Sequence, residues 1–139
     1  MGEIKVSVDI ENTRDRFLSE TREYAATPIR RRTVDVLVDT GAVMLMLPQD
    51  LVEELGLRIT GKVLVTYADE RREERPVADL VTVTIGNRST TVDCIVGPPT
   101  SEPLLGQLIL ERLDLIADCT RHQLAPRPES PFLPLLKVK

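Results

Sequence analysis

A chain of 139 residues, 42% of them apolar, has the size and composition of one globular domain that buries its own core without cross-links. Aromatic residues make up only 3% and tryptophan is missing, so the core is aliphatic and the chain offers few rings for stacking nucleic-acid bases. The net charge of −4 also disfavours general nucleic-acid binding.

The first element is a strand. Ile4, Val6, Val8 and Ile10 alternate with Lys5, Ser7 and Asp9, the period of two that marks a half-buried strand. Residues 11–32 are polar and irregular, with Phe17, Leu18 and Tyr24 as the large apolar side chains, and read as a long loop or weak hairpin. Arg30-Arg31-Arg32 is read as a solvated lead into the next strand rather than a phosphate contact. Thr33 to Val38 is that strand, and it runs into Asp39-Thr40-Gly41-Ala42. A carboxylate at the end of a buried strand is costly unless something satisfies or uses it.

Val43, Met44, Leu45 and Met46 follow as an apolar run, then a helix from Pro48 to Leu55 with Gly56 just past its end. Lys62 to Tyr67 is a strand, Ala68 to Arg72 a charged turn, and Pro76 to Ile85 the return strand. Gly86-Asn87 has the composition of a two-residue hairpin loop. Ser89 to Val96 pairs across it, with Val92, Cys94 and Val96 on one face. Gly97-Pro98-Pro99 breaks the chain, and Leu104-Leu105-Gly106 leads into a short helical pattern at Leu108 to Leu113. Leu115 to Ala117 and Gln123 to Ala125 are expected to be short closing strands. The tail, with Pro126, Pro128, Pro131 and Pro134, is expected to be extended and weakly held.

Cys94 and Cys119 lack the paired spacing of a zinc or redox site and are read as small buried hydrophobes. The single His122 has no serine or cysteine motif beside it, and the acidic pairs Glu53-Glu54, Asp69-Glu70 and Glu73-Glu74 read as solvated faces. Neither cofactor nor metal is expected. The start of the chain has no long apolar run after a basic opening, and no segment is long and apolar enough to span a bilayer. The expectation is a cytoplasmic protein without a membrane partner.

The order of these motifs resembles the retropepsin-like aspartic proteases, the single-domain relatives of pepsin. It consists of the Asp39-Thr40-Gly41-Ala42 loop after apolar residues, a hairpin at roughly Val63 to Val77, the strand Thr91 to Pro98, and Leu104-Leu105-Gly106 before a helix at Gln107 to Arg112. The Pro48 helix and the Leu110 to Leu115 ending are most similar to the soluble bacterial branch. The resemblance implies an all-β fold, a retropepsin-like acid protease barrel with one or two short helices, active as a symmetric homodimer on peptide or protein substrates. It implies a protease domain over residues 1–125 and a proline-rich tail over residues 126–139.

Asp39 would be the catalytic residue, supplied once by each protomer, and Thr40 would hydrogen-bond across the dimer. Gly41 allows close backbone approach to the carboxylates, and Ala42 is small enough to leave the cleft open. Tyr67, Ala68, Asp69 and Glu70 would form the flap over substrate, and Leu104, Leu105 and Gly106 the second loop. Val43, Met44, Met46 and Leu105 would line apolar pockets, with core packing the competing role for Met46 and Leu105. Two features depart from the family pattern. The residues after Ala42 are apolar where a polar one is common, and the flap turn contains no glycine. They motivate an alternative, a non-catalytic retropepsin-like dimerisation or peptide-binding module.

Overall fold

Short-range alternation sets the strands, and the aliphatic residues on their inner faces close them into a barrel. The computed structural model describes residues 3–138 apart from 22, 24, 25 and 27, so Tyr24 lies outside the described residues. In chain order the elements are β1 (Lys5–Asn12), α1 (Thr13–Ser19), β2 (Arg31–Val38), β3 (Leu45–Pro48), α2 (Gln49–Leu55) and β4 (Arg58–Thr66). They continue with β5 (Arg72–Ile85), β6 (Arg88–Gly97), β7 (Leu104–Leu105), α3 (Gln107–Leu113), β8 (Leu115–Asp118) and β9 (Gln123–Pro126).

Seven strands form one sheet in the order β1-β2-β7-β3-β6-β5-β4, and an added β1–β5 pairing joins its two sides. The result is a closed ring of six strands with β4 as an outer neighbour of β5. The length of β5 makes this possible: its first half pairs with β4 and its second half with β1 and β6. The switch falls at a one-residue bulge between Ala78 and Val81, where Leu80 takes a left-handed φ of 55°. Inside the ring lie Val8, Ile10, Val36, Leu45, Leu47, Val81, Val83 and Cys94, each almost fully buried. Leu55, Ile109 and Leu113, from α2 and α3, complete the core. Burial pushes the Cys94 thiol up to about 12, so it stays protonated and inert at neutral pH.

α2 forms as its punctuation requires. Pro48 (φ −65°) precedes the first turn, Leu51, Val52 and Leu55 face inward, and Gly56 ends it at φ 65°. β3 and α1 were not expected. The segment read as an irregular loop begins with a helix whose inward side chain is Asp15, not an apolar one. Asp15 accepts from the Arg30 guanidinium at 2.8 and 3.0 Å and from the Arg30 backbone at 3.0 Å, and the Arg30 hydrogen bonds hold its carboxyl below the usual carboxylate range. Asn12 caps two helices at once. Its Oδ1 accepts from the Asp15 backbone N–H at 3.1 Å, and its Nδ2 donates to the Leu55 carbonyl at 2.8 Å at the end of α2. Of the arginine run, Arg30 is thus tied to Asp15 and Arg32 to Glu54, while Arg31 is exposed.

The tail corrects the expectation of weak attachment. Asp114, buried and left-handed at φ 55°, accepts from Arg127 Nε (2.5 Å) and Nη2 (3.1 Å), Ser130 Oγ (2.6 Å) and the Leu135 backbone (2.9 Å). Buried Arg88 donates to the Leu113 and Asp114 carbonyls, capping α3, and to the Ser130 carbonyl. The tail is extended but clasped. Cys119 also departs from expectation: it is exposed in the turn between β8 and β9. Among the described residues, no helix is long and apolar enough to cross a membrane.

Candidate active site

β2 delivers Asp39 from the core to the surface. Val36 is fully buried, the Val38 N–H donates to the Ile4 carbonyl (2.8 Å) and the Leu37 N–H to the Pro103 carbonyl (2.9 Å). The Asp39 N–H then donates to the Leu105 carbonyl at 3.0 Å, extending the parallel pairing of Leu37 with Leu104 and Val38 with Leu105. A tight turn follows. The Ala42 N–H reaches the Asp39 carbonyl (3.1 Å), and the Gly41 N–H reaches the Asp39 side-chain Oδ1 (3.0 Å). The carboxylate is therefore aimed by its own turn while its backbone is fixed by β7.

The two expected loops interlock. An α-helix leaves its first N–H groups without partners, and here the Asp39 loop supplies them. The Gln107 N–H donates to the Ala42 carbonyl at 2.8 Å and the Leu108 N–H to the Val43 carbonyl at 2.9 Å. Gly106 sits at the crossing. A Cβ there would fall 2.7 Å from the Val43 carbonyl atoms and collide with the Met44 carbonyl oxygen. Leu105 is fully buried, which settles its role as core, whereas Leu104 reaches the cleft.

That cleft has a volume of about 590 Å³. Asp39, Gly41, Ala42, Val43 and Met44 form one lip, and Met46, Ile95 and Leu104 the floor. The roof is the β4 end of the hairpin, from Val63 to Ala68. Val43, 69% exposed, stands beside the opening and leaves it unblocked. Val63, Val65 and Ile95 were not singled out from the sequence, although the alternation Val63, Val65, Tyr67 carries the signal of one shared face. Another hollow, of about 630 Å³, lies over β1, β2, β5 and β6. Several of its polar groups pair with one another (Arg16 with Glu11, Thr33 with Asp9, Thr84 with Ser89), and Arg32 is tied to Glu54.

The hairpin tip shows how its turn closes without glycine. The Tyr67 N–H donates to the Arg71 carbonyl and the Glu70 N–H to the Tyr67 carbonyl, both at 2.9 Å, closing a three-residue loop. Glu70 takes φ 67°, the left-handed position that glycine fills most readily. Asp69 Oδ1 accepts from the Arg71 N–H at 3.1 Å. The Arg71 guanidinium lies 4.4 Å from the centre of the Tyr67 ring. Tyr67 and Ala68 face the cleft; Asp69 and Glu70 are exposed at the tip. Thr40 is exposed on the loop.

Comparison with known proteins gives two findings. The sequence model of a family described as "gag-polyprotein putative aspartyl protease" matches residues 25–112, a span that contains both loops and the hairpin. The solved structure described as "EIAV protease complexed with the inhibitor HBY-793" superposes with a TM-score of 0.55 at 19% sequence identity, covering 79% of this chain and 86% of that one. At that identity the likeness is one of fold, and it agrees with the barrel, loops and hairpin described above. No curated protein sequence matches the chain.

Proposed function

The chain belongs to the retropepsin-like aspartic protease family, and on that premise we propose that it is a homodimeric endopeptidase with Asp39 of each protomer as the catalytic residue. The observation that carries the reading is the Asp39 carboxylate at the lip of an open apolar cleft, aimed by the Gly41 N–H of its own turn while the Asp39 backbone N–H is fixed on the Leu105 carbonyl of the second loop. One protomer supplies a single such carboxylate, and a two-fold axis past the loop would bring the second beside it.

The chemistry then follows from two adjacent carboxyl groups. Both cannot ionise at close range, so they share one proton, as the dyads of aspartic proteases generally do. The ionised one takes a proton from a water held between them as general base. The protonated one donates to the scissile carbonyl oxygen as the water attacks. The tetrahedral intermediate collapses with proton transfer to the leaving amine, and no covalent enzyme intermediate forms. Gly41 and Ala42 keep the approach clear, and Thr40 is the loop's contact toward the second protomer. Val43, Met44, Met46 and Leu104 offer apolar pockets, so the substrate is an extended peptide with apolar side chains about the cleaved bond. Its backbone pairs with the hairpin, whose closure excludes water. Residues 1–125 form the catalytic domain in this reading, with residues 126–139 an appendage clasped to it.

The unblocked cleft supports hydrolysis over the non-catalytic alternative. Asp39→Asn is the test: the variant is expected to keep its fold and dimeric state and to cleave no peptide that the parent cleaves. A folded, dimeric variant with undiminished cleavage would overturn the assignment.

A further inference from the structure

The hairpin over the cleft loses its support partway along. β5 keeps β6 as a neighbour only as far as Val77, opposite Ile95; from Pro76 to Arg72 it pairs with β4 alone. A two-stranded arm of this kind is only marginally stable in water. One side chain continues the attachment where the ladder stops. Arg75 Nε donates to the Val96 backbone carbonyl at 2.8 Å, and Arg75 Nη1 donates to Glu73 Oε1 at 3.0 Å. The same Glu73 oxygen lies 3.5 Å from the Tyr67 hydroxyl, which donates to it. By strand pairing, Arg75 is opposite Val63 and Glu73 opposite Val65, so both share the face that roofs the cleft.

Their burial makes this pair unusual. The Arg75 side chain is 16% exposed and that of Glu73 34%, on a face otherwise built from Val63, Val65, Val77 and Ile95. Stability alone gives little reason for ions there, because an apolar pair of similar size commonly holds such a place as well or better. What an apolar pair lacks is a directional bond from the arm to the cleft wall.

We propose that Arg75 is a positioning residue of the flap, a strut that fixes where the arm bends and, through Glu73, where Tyr67 stands over a bound peptide. The part of this inference that concerns substrate rests on the endopeptidase reading; the strut itself does not. Arg71 above the Tyr67 ring and Glu73 at its hydroxyl hold that side chain from two sides. Tyr67 is then the specificity-determining contact of the roof, and Arg75 acts through it without touching the reacting atoms.

The experiment compares Arg75→Met, Arg75→Lys and Glu73→Gln in the full chain. Amide hydrogen exchange over residues 62–76 is expected to quicken about tenfold in Arg75→Met, the scale of one lost charge-assisted hydrogen bond, with residues 81–92 unchanged. Arg75→Lys, which reaches one partner but not both, and Glu73→Gln, which keeps an acceptor, fall between. With a cleaved peptide in hand, KM rises about tenfold in Arg75→Met while kcat stays within about threefold, since the Asp39 loop is untouched. Arg75→Lys restores part of the KM. Unchanged exchange in the arm, or acceleration spread equally over residues 81–92, overturns the strut. A fall in kcat at constant KM overturns its link to substrate through Tyr67. A loosened arm in a protein whose parent cleaves nothing upholds the strut and removes the endopeptidase reading instead.

Discussion

Gly106→Ala tests the interlock between the two loops with a single methyl group. Gly106 has φ −87° and ψ 174°, which alanine adopts without strain. Backbone freedom alone would make the change stabilising by about 0.4–1 kcal/mol, through a less flexible unfolded chain. The cost is entirely one of contact. The new Cβ would sit 2.7 Å from the Val43 carbonyl carbon and oxygen and closer still to the Met44 oxygen, all backbone atoms that no rotamer change can move aside. The 43–44 peptide must shift by a few tenths of an ångström or more. That pulls on the Gln107-to-Ala42 and Leu108-to-Val43 hydrogen bonds. Forced overpacking of this kind costs about 1–3 kcal/mol, so the net destabilisation is about 1–2 kcal/mol, or about 4–10 °C in Tm. Any peptide cleavage falls by more than stability explains, because a displacement approaching 1 Å at reacting groups can cost about a hundredfold. Gly61→Ala is the control, since a Cβ there meets nothing within 4 Å. Differential scanning measurements on both variants decide the matter. If Gly106→Ala melts with Gly61→Ala, the loops are not packed as described.

Two further perturbations address the supports around the site. Asn12→Ala removes the cap of α1 and orphans the Leu55 carbonyl, so urea unfolding should show a loss of about 2–4 kcal/mol; a loss under about 1 kcal/mol contradicts the double-cap geometry. The tail clasp should survive mild acid. Arg127 first, then Ser130 and the Leu135 N–H, hold the Asp114 carboxyl well below its ordinary value of about 4, so its stabilisation is present above that value and disappears only as pH falls through the lower folded value. Limited proteolysis of the tail should therefore be constant between about pH 7 and pH 4.5, and Asp114→Asn should loosen the tail across that range. Loosening of the parent's tail near pH 5 would contradict the clasp.

The elements read correctly from sequence are those whose cause is local. The Pro48–Gly56 helix carries its own start, face and stop. β1 carries unbroken alternation, β6 places Val92, Cys94 and Val96 on one face, and Gly86-Asn87 joins Ile85 to Arg88 as a two-residue turn. What escaped depends on partners distant in the chain. α1 turns Asp15 inward to meet Arg30, so it shows no apolar stripe. β3 runs between β6 and β7 and reads as an unpatterned apolar stretch because both its neighbours come much later. The clasp joins Arg88, Asp114, Arg127 and Ser130 from separate segments, and none is distinctive alone. At the site, the Asp39 turn and the Leu104-Leu105-Gly106 motif were legible because each is compact. The Glu73–Arg75 pair was not, since adjacent charges on a strand ordinarily mean a wet face.

The pairing of Leu37 with Leu104 has a consequence for how the molecule comes into being. Sixty-seven positions (104 − 37) separate the halves of the acid loop's frame, and long-range closures of that sort come late in folding. A nascent chain that has emerged only through β6 carries Asp39 without the carbonyl of Leu105 or the amides of Gln107 and Leu108 to hold it. During synthesis, therefore, the Asp39 loop stays without its frame until β7 and the start of α3 have emerged.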